Sequence, residues 1–254
     1  MQVGAQTYTI REYTQTESGF RDAMRQLAQI GYRTVQLSAV GQIAPQTMRE
    51  ICDENGLTIV LTHTDPERML VNPEDVIADH DVLGCRLIGI GSMPPRYRTA
   101  EGVRRFAADF MVPAKMMRDA GKRLVYHHHN FEWERINSEQ NMLDVLLEDF
   151  AQDLMGITLD TYWVQAAGAD VCDTITRLAE RLDCVHLKDM AVKGFEQRMA
   201  AVGEGNLPFG KILKLLQRLG TTRYLLVEQD NCYGENPFDC LSRSYSNLKK
   251  EGYA

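Results

Sequence analysis

Apolar and polar positions along this chain fall into two alternating kinds of block. Short β-branched and aliphatic runs recur at Val3–Tyr8, Thr34–Leu37, Thr58–Leu61, Leu87–Ile90, Arg123–Tyr126, Gly156–Leu159, Cys184–Leu187 and Tyr224–Val227. Between them, apolar residues return at helical spacing over Phe20–Ile30, Pro45–Glu54, Pro73–Leu83, Ala100–Ala120, Glu139–Phe150, Ala169–Arg181, Pro208–Leu219 and Pro237–Lys250. Short apolar runs bounded by turn residues predict strands, and longer segments of period 3.6 predict helices. Eight strands and eight helices in strict alternation predict a parallel sheet with crossover helices. A count of eight favours closure into a (β/α)8 TIM barrel over an open sheet.

The punctuation agrees. Gly31, Gly56, Gly84, Gly121 and Gly220 each fall just past a predicted helix and just before a strand, where a left-handed residue ends a helix cheaply. Pro45, Pro73, Pro208 and Pro237 begin helices, where the missing N–H costs nothing. The segment Lys188–Asn206, with Gly194, Gly203 and Gly205, has no strong period and is expected to be a loop over the site. No linker or low-complexity tract interrupts residues 1–254, so a single domain is expected, of a length routine for such barrels.

Charge and cysteine usage narrow the classes. A net charge of −7 gives no reason to expect nucleic acid, which wants a basic face, and disfavours anionic membranes. No apolar stretch reaches the ~20 residues that span a bilayer, and the start MQVGAQTYTIREY lacks a signal peptide's basic and apolar regions. A cytoplasmic location is therefore expected. The six cysteines form no CxxC pair and read as free thiols rather than a disulfide framework.

The chemistry concentrates at the ends of the last four predicted strands. Tyr126-His127-His128-His129-Asn130 closes the fifth, Asp160 the sixth, His186 the seventh and Glu228 the eighth. Strand C-terminal ends build the active sites of such barrels, so these groups are expected to converge on one divalent cation. Nitrogen and carboxylate donors suit Mn²⁺, Mg²⁺, Co²⁺ or Zn²⁺, and the lack of thiolate argues against a purely structural zinc. Each residue alone has a plainer reading. Asp160 could be an N-cap and His186 a hydrogen-bonded interior histidine, whereas an unpaired Glu228 at a buried strand end would be costly. Their placement in register favours a shared site.

Alternate strand residues share a face, so His127 and His129 point one way and His128 the other. His127 is expected on the ion, His129 beside the substrate and His128 buried behind or donating to a neighbour. Glu132, five residues beyond His127, is an alternative fourth ligand. Further candidates at the same mouth are His63, Tyr8, Arg11, Trp163 and Lys188, the last to hold a substrate oxygen or to pair with Asp160 or Glu228. For each of these, packing or a plain salt bridge is an equal reading.

Taken together, Gly4–Arg11, Gly31–Leu37, Tyr126–Glu132, Leu159–Trp163, His186–Asp189, Val202–Gly205 and Val227–Asp230 resemble the xylose-isomerase-like TIM-barrel family of sugar (phosphate) isomerases and epimerases, which includes inosose dehydratases. The resemblance covers essentially the whole chain; its late motifs are fairly specific and its early ones weak alone. It implies a divalent cation held by Glu, Asp, His and Glu, three of which carry over as Asp160, His186 and Glu228. The first does not: His127 stands where epimerases of the family carry Glu, and Gln36 stands where the family often has Glu. In those epimerases the two glutamates share proton transfer, so the departure bears on simple epimerisation.

The expectation is a metal-dependent isomerase or epimerase of a keto-sugar, sugar phosphate or cyclitol, working through an enediolate. Glu228, His129, His127 and Lys188 would be its catalytic residues, and Tyr8, His63, Trp163 and Glu132 would bind a carbohydrate substrate. Dehydration or lyase chemistry at the same site is the alternative, ahead of an endonuclease-like phosphodiesterase or a non-catalytic sugar-binding protein. An apolar outer helix face would be compatible with a homo-oligomer.

Overall fold

The protein's computed structural model describes residues 1–253. Its eight barrel strands are β1 (Gln2–Gln6), β2 (Thr34–Leu37), β3 (Thr58–His63), β4 (Leu87–Ile90), β5 (Arg123–His127), β6 (Met155–Asp160), β7 (Leu182–Leu187) and, after the pair β8 (Asp189–Lys193) and β9 (Glu196–Ala200), β10 (Tyr224–Val227). All neighbours in the ring are parallel, and β1 closes it by pairing with both β2 and β10. The expected (β/α)8 TIM barrel is therefore the observed fold.

The helices α1 (Glu17–Ile30), α2 (Pro45–Glu54), α3 (Pro66–Val71), α4 (Pro73–Val82), α5 (Ala100–Asp119), α6 (Met142–Asp149), α7 (Thr161–Ala166), α8 (Val171–Leu178), α9 (Phe209–Leu219) and α10 (Pro237–Lys250) lie on the polypeptide between strands, or after the last. Each long helix turns one apolar stripe to the sheet, as Phe20, Ala23, Met24 and Leu27 do in α1. Local capping sets their starts. Asn141 and Asp144 form a reciprocal capping box that delays α6 to Met142, three residues after the expected start. Gly220 adopts φ 70° at the end of α9, the left-handed turn expected there. Among the described residues, no helix is long and apolar enough to cross a membrane.

The barrel interior has its own small apolar plug of Val60, Leu61, Leu87, Val125, Cys184 and Leu226. Four of these stand two residues before a polar group at the mouth: Leu61 before His63, Val125 before His127, Cys184 before His186, and Leu226 before Glu228. Strand alternation therefore aims all four polar groups along the same interior as the plug, one layer higher. A dry floor lies directly beneath them.

Two expectations need correction. The segment Lys188–Asn206 is not a plain loop: β8 and β9 pair antiparallel, Asp189 opposite Ala200 and Lys193 opposite Glu196, with Gly194 (φ 62°) at the turn. The first strand also stops at Gln6 rather than Tyr8. The Gln6 side chain accepts the Tyr8 N–H and starts a 3-10 turn over Thr7–Tyr13.

Candidate metal centre

The ends of β5, β6, β7 and β10 bring His127, Asp160, His186 and Glu228 together, all buried, with one donor atom from each lying within 4.8 Å of the others. Strand register does much of this: Asp160 pairs directly with His186 across β6 and β7. Thr161 Oγ1 ties the same two strand ends, donating to the Lys188 carbonyl at 2.8 Å and accepting the Lys188 N–H at 3.0 Å.

Each carboxylate has one oxygen engaged by the fold and one turned to the centre. Asp160 Oδ1 accepts the N–H groups of Tyr162 and Trp163 at 2.9 and 3.1 Å, so Asp160 is indeed the N-cap of α7. Its Oδ2 faces His127 Nε2 at 3.3 Å and His186 Nδ1 at 3.9 Å. Glu228 Oε1 accepts from Gln6 Nε2 at 2.7 Å, while Oε2 faces His186 Nδ1 at 2.9 Å.

The histidines are oriented from behind. His127 Nδ1 donates to the Gly91 carbonyl at 2.8 Å, which leaves the Nε2 lone pair towards Asp160. His186 Nε2 donates to Gln36 Oε1 at 2.7 Å, which leaves the Nδ1 lone pair towards Glu228. Neutral rings in these tautomers present lone pairs to carboxylate oxygens, acceptor against acceptor. His186 Nδ1 and Glu228 Oε2 are accordingly buried without a hydrogen-bond partner between them. A cation satisfies such an arrangement, and ligating histidines in metal sites are held by this kind of outer hydrogen bond to a carbonyl.

Lys188 lies in the same cluster, fully buried, with Nζ 2.9 Å from Asp160 Oδ2, 2.9 Å from Glu228 Oε2 and 2.8 Å from Asp230 Oδ1. Three carboxylates less one ammonium leave two negative charges, the complement of a divalent ion. Burial opposes ionisation of Asp160 and Glu228, yet Lys188, followed by His127 for Asp160 and His186 for Glu228, holds both below the usual carboxylate range. Burial also opposes the Lys188 charge, but Asp160, Glu228 and Asp230 hold its pKa well above the ordinary value. Asp230, desolvated beside Glu228, is pushed up to about 6. Burial works against a charged His127, and the neighbouring Asp160 carboxylate overcomes it and raises its pKa.

A family model described as a xylose isomerase-like TIM barrel matches residues 24–239. The chain belongs to the xylose isomerase-like TIM barrel family. It is 25% identical to an inosose dehydratase of Clostridium perfringens (strain 13 / Type A) over 169 residues, 60% of this chain and 53% of that protein. The chain thus spans about half the length of the curated relatives it matches. A sugar phosphate isomerase/epimerase from Parabacteroides distasonis ATCC 8503 superposes with a TM-score of 0.81 at 20% identity, covering 98% of each chain. An L-ribulose 3-epimerase superposes with a TM-score of 0.76 at 15% identity, covering 99% of this chain and 94% of the other. These two structural likenesses speak for the fold.

In this xylose isomerase-like barrel the centre opens onto a cleft of about 380 Å³ whose walls include Tyr8, Ser38, His63, Asp65, Ser92 and His129. His63 Nδ1 meets Ser38 Oγ at 3.0 Å, and its buried Nε2 has no partner. A Cβ added at Gly91 would come within 2.8 Å of His63 Nδ1, so this glycine makes room for the ring. His129 Nδ1 is likewise buried and unpartnered. Burial and then His127 hold both rings neutral, His129 at about 3 and His63 well below its ordinary value. Trp163 packs against His129, ring centroids 5.2 Å apart, and Lys188 Nζ lies 5.6 Å from the Trp163 ring centre.

Glu132 does not join the group of four. Its oxygens accept from the Tyr126 hydroxyl and from the His129 N–H, at 2.8 Å for the latter, so it braces the His129 backbone from inside the protein. Strand patterns missed Gln6, Gln36 and Asp230 as partners of the centre. Gln36 at least carried a signal, being a polar side chain within a short apolar run.

Proposed function

We propose that this protein is a divalent-metal-dependent isomerase or epimerase that removes a proton from carbon beside the carbonyl of a keto-sugar or cyclitol, passing through an enediolate. The observation that carries the reading is the pairing of two histidine lone pairs with two carboxylate oxygens around a buried excess of two negative charges. His127, Asp160, His186 and Glu228 would hold the ion. When bound, a divalent cation supplies stabilisation for negative charge developing on the substrate's oxygens.

The chain's own groups supply the rest. Glu228, ionised at neutral pH and anchored by Gln6, takes the proton from carbon. The neutral His129, braced by Glu132, holds a substrate hydroxyl from the other wall. The aliphatic plug below and Trp163 beside the centre keep bulk water from the reacting carbon. Lys188 is the one Lys or Arg among the described cleft-lining residues, and three carboxylates already engage it. This favours an unphosphorylated substrate.

A second reading, expulsion of a β-hydroxyl after the same proton removal, is favoured by two observations. His127 stands in place of a second carboxylate on the opposite side, and His63 and His129 each offer an unpartnered ring nitrogen to a departing or entering hydroxyl. The curated relatives named as inosose dehydratases point the same way.

One experiment separates the readings: NMR in D₂O across a panel of keto-sugars and inososes with added Mn²⁺. Deuterium at carbon without loss of mass marks isomerisation or epimerisation, and loss of water marks elimination. Chelation should abolish either and Mn²⁺ restore it. Full activity of His186→Ala in chelator would sink the metal reading.

A further inference from the structure

Lys188 occupies the oxygens that the ion needs. The carboxylate atoms left free by the fold are Asp160 Oδ2 and Glu228 Oε2, and the Lys188 ammonium sits 2.9 Å from each. Both are also the atoms that the His127 and His186 lone pairs face. A divalent ion at the same oxygens would be a like charge at contact distance from the ammonium, in a buried setting where screening is weak. The third partner, Asp230, stands apart. Its Oδ1 lies 2.8 Å from Nζ, it is outside the four-residue set, and its side chain is 24% exposed where those of Asp160 and Glu228 are buried.

We propose that Lys188 is the resident cation of this centre: it neutralises Asp160 and Glu228 while no metal ion is bound, and withdraws onto Asp230 when an ion takes their oxygens. The inference rests on the metal reading above. It assigns Asp230 a positioning role, that of holding the displaced ammonium, with the nearby Trp163 ring as a second favourable neighbour for the charge. The ammonium sets a positive charge 2.9 Å from each of the two oxygens that the histidine lone pairs face.

The test is a double-mutant cycle read by Mn²⁺ titration calorimetry and by thermal unfolding in chelator. Lys188→Met should bind Mn²⁺ at least about tenfold tighter than the wild type, since the competitor is gone. In chelator it should unfold at a lower temperature and recover when Mn²⁺ is added. Asp230→Asn should bind Mn²⁺ about tenfold more weakly, because the displaced ammonium has nowhere to go. In the Lys188→Met background, Asp230→Asn should change the affinity little. Lys188→Gln, which retains an amide donor, replaces the methionine variant if that one does not fold.

Additive effects of the two substitutions would overturn the proposal, since they would report only long-range charge. Weaker Mn²⁺ binding by Lys188→Met would overturn it too, by making the lysine a support for the ligands. If the wild type binds Mn²⁺ and Lys188→Met binds it no tighter, this inference falls and the metal reading stands. If no variant binds Mn²⁺, both fall.

Discussion

His128 is wedged behind the centre, its ring against Trp133 and its Nε2 accepting the Asp160 backbone N–H at 3.1 Å. Its Nδ1 meets the His129 carbonyl at 3.2 Å, which fixes the tautomer that leaves Nε2 as acceptor. Burial, then His127, pushes its pKa down to about 3, so the acceptor survives at neutral pH. Removing it orphans a buried N–H on the very residue that faces two histidines, and opens a cavity. We expect His128→Ala to lose about 2–4 kcal/mol in chemical denaturation, from the lost acceptor and the void together. His128→Gln, which offers a carbonyl, should lose less; equal losses would mean that the hydrogen bond contributes little. At this scale alternation along a strand was enough to separate His127 from His128. Which oxygen of Glu228 and which nitrogen of His186 is free was not legible, because the groups that engage the other atom come from tertiary packing: Gln6 reaches Glu228 across 222 residues and Gln36 reaches His186 across 150.

The β8–β9 hairpin is an element that patterning failed to read, and its packing explains why. Only its base is buried, at Asp189 and Met190, while Val192 and Phe195 near the turn are exposed, so no alternation marks it as a strand pair. What fixes it is one side chain. The Asp189 carboxylate accepts the N–H groups of Met190, Gly203, Gly205 and Leu207 at 2.8–3.2 Å, tying the start of the hairpin to the segment that returns from it. The His186-Leu187-Lys188-Asp189 run therefore carries two tasks: His186 and Lys188 belong to the centre, and Asp189 anchors the hairpin. Asp189→Ala should leave these N–H groups unpaired and free residues 189–207. Hydrogen–deuterium exchange should rise there by at least about tenfold while β2 to β5 stay protected, a local opening rather than global loss. Unchanged exchange in that segment would show that backbone pairing alone holds the hairpin.

The barrel as a whole was legible because its unit repeats: every strand–helix pair carries the same apolar pattern, and closure follows from the count of eight rather than from any one contact. The same closure buries titratable groups at one end, and that has a consequence for the whole molecule. Burial lowers the pKa of His63, His80, His128, His129 and His186, to about 4 for His80 and about 3 for His128 and His129, whereas His127 alone is raised. Unfolded, each of these would take a proton near pH 6.5. Below that pH the unfolded chain binds more protons than the folded one, so stability must fall as pH falls through about 6.5 towards 4. His127, whose pKa Asp160 raises, works in the opposite sense above about 6.5 and adds no slope below it. Asp160 and Glu228, held low by Lys188, add their own loss only at lower pH, below their unfolded values near 4. Carboxylates raised by burial, Asp230 to about 6 foremost, work in the opposite sense and blunt the slope without reversing it, because four of the histidines are displaced far from their ordinary value. In chelator, the unfolding temperature should therefore drop steadily between pH 7 and pH 5, with net proton uptake on unfolding measurable by calorimetry in buffers of different ionisation enthalpy. A flat profile, or proton release over that range, would mean that the buried histidines carry charge in the folded barrel.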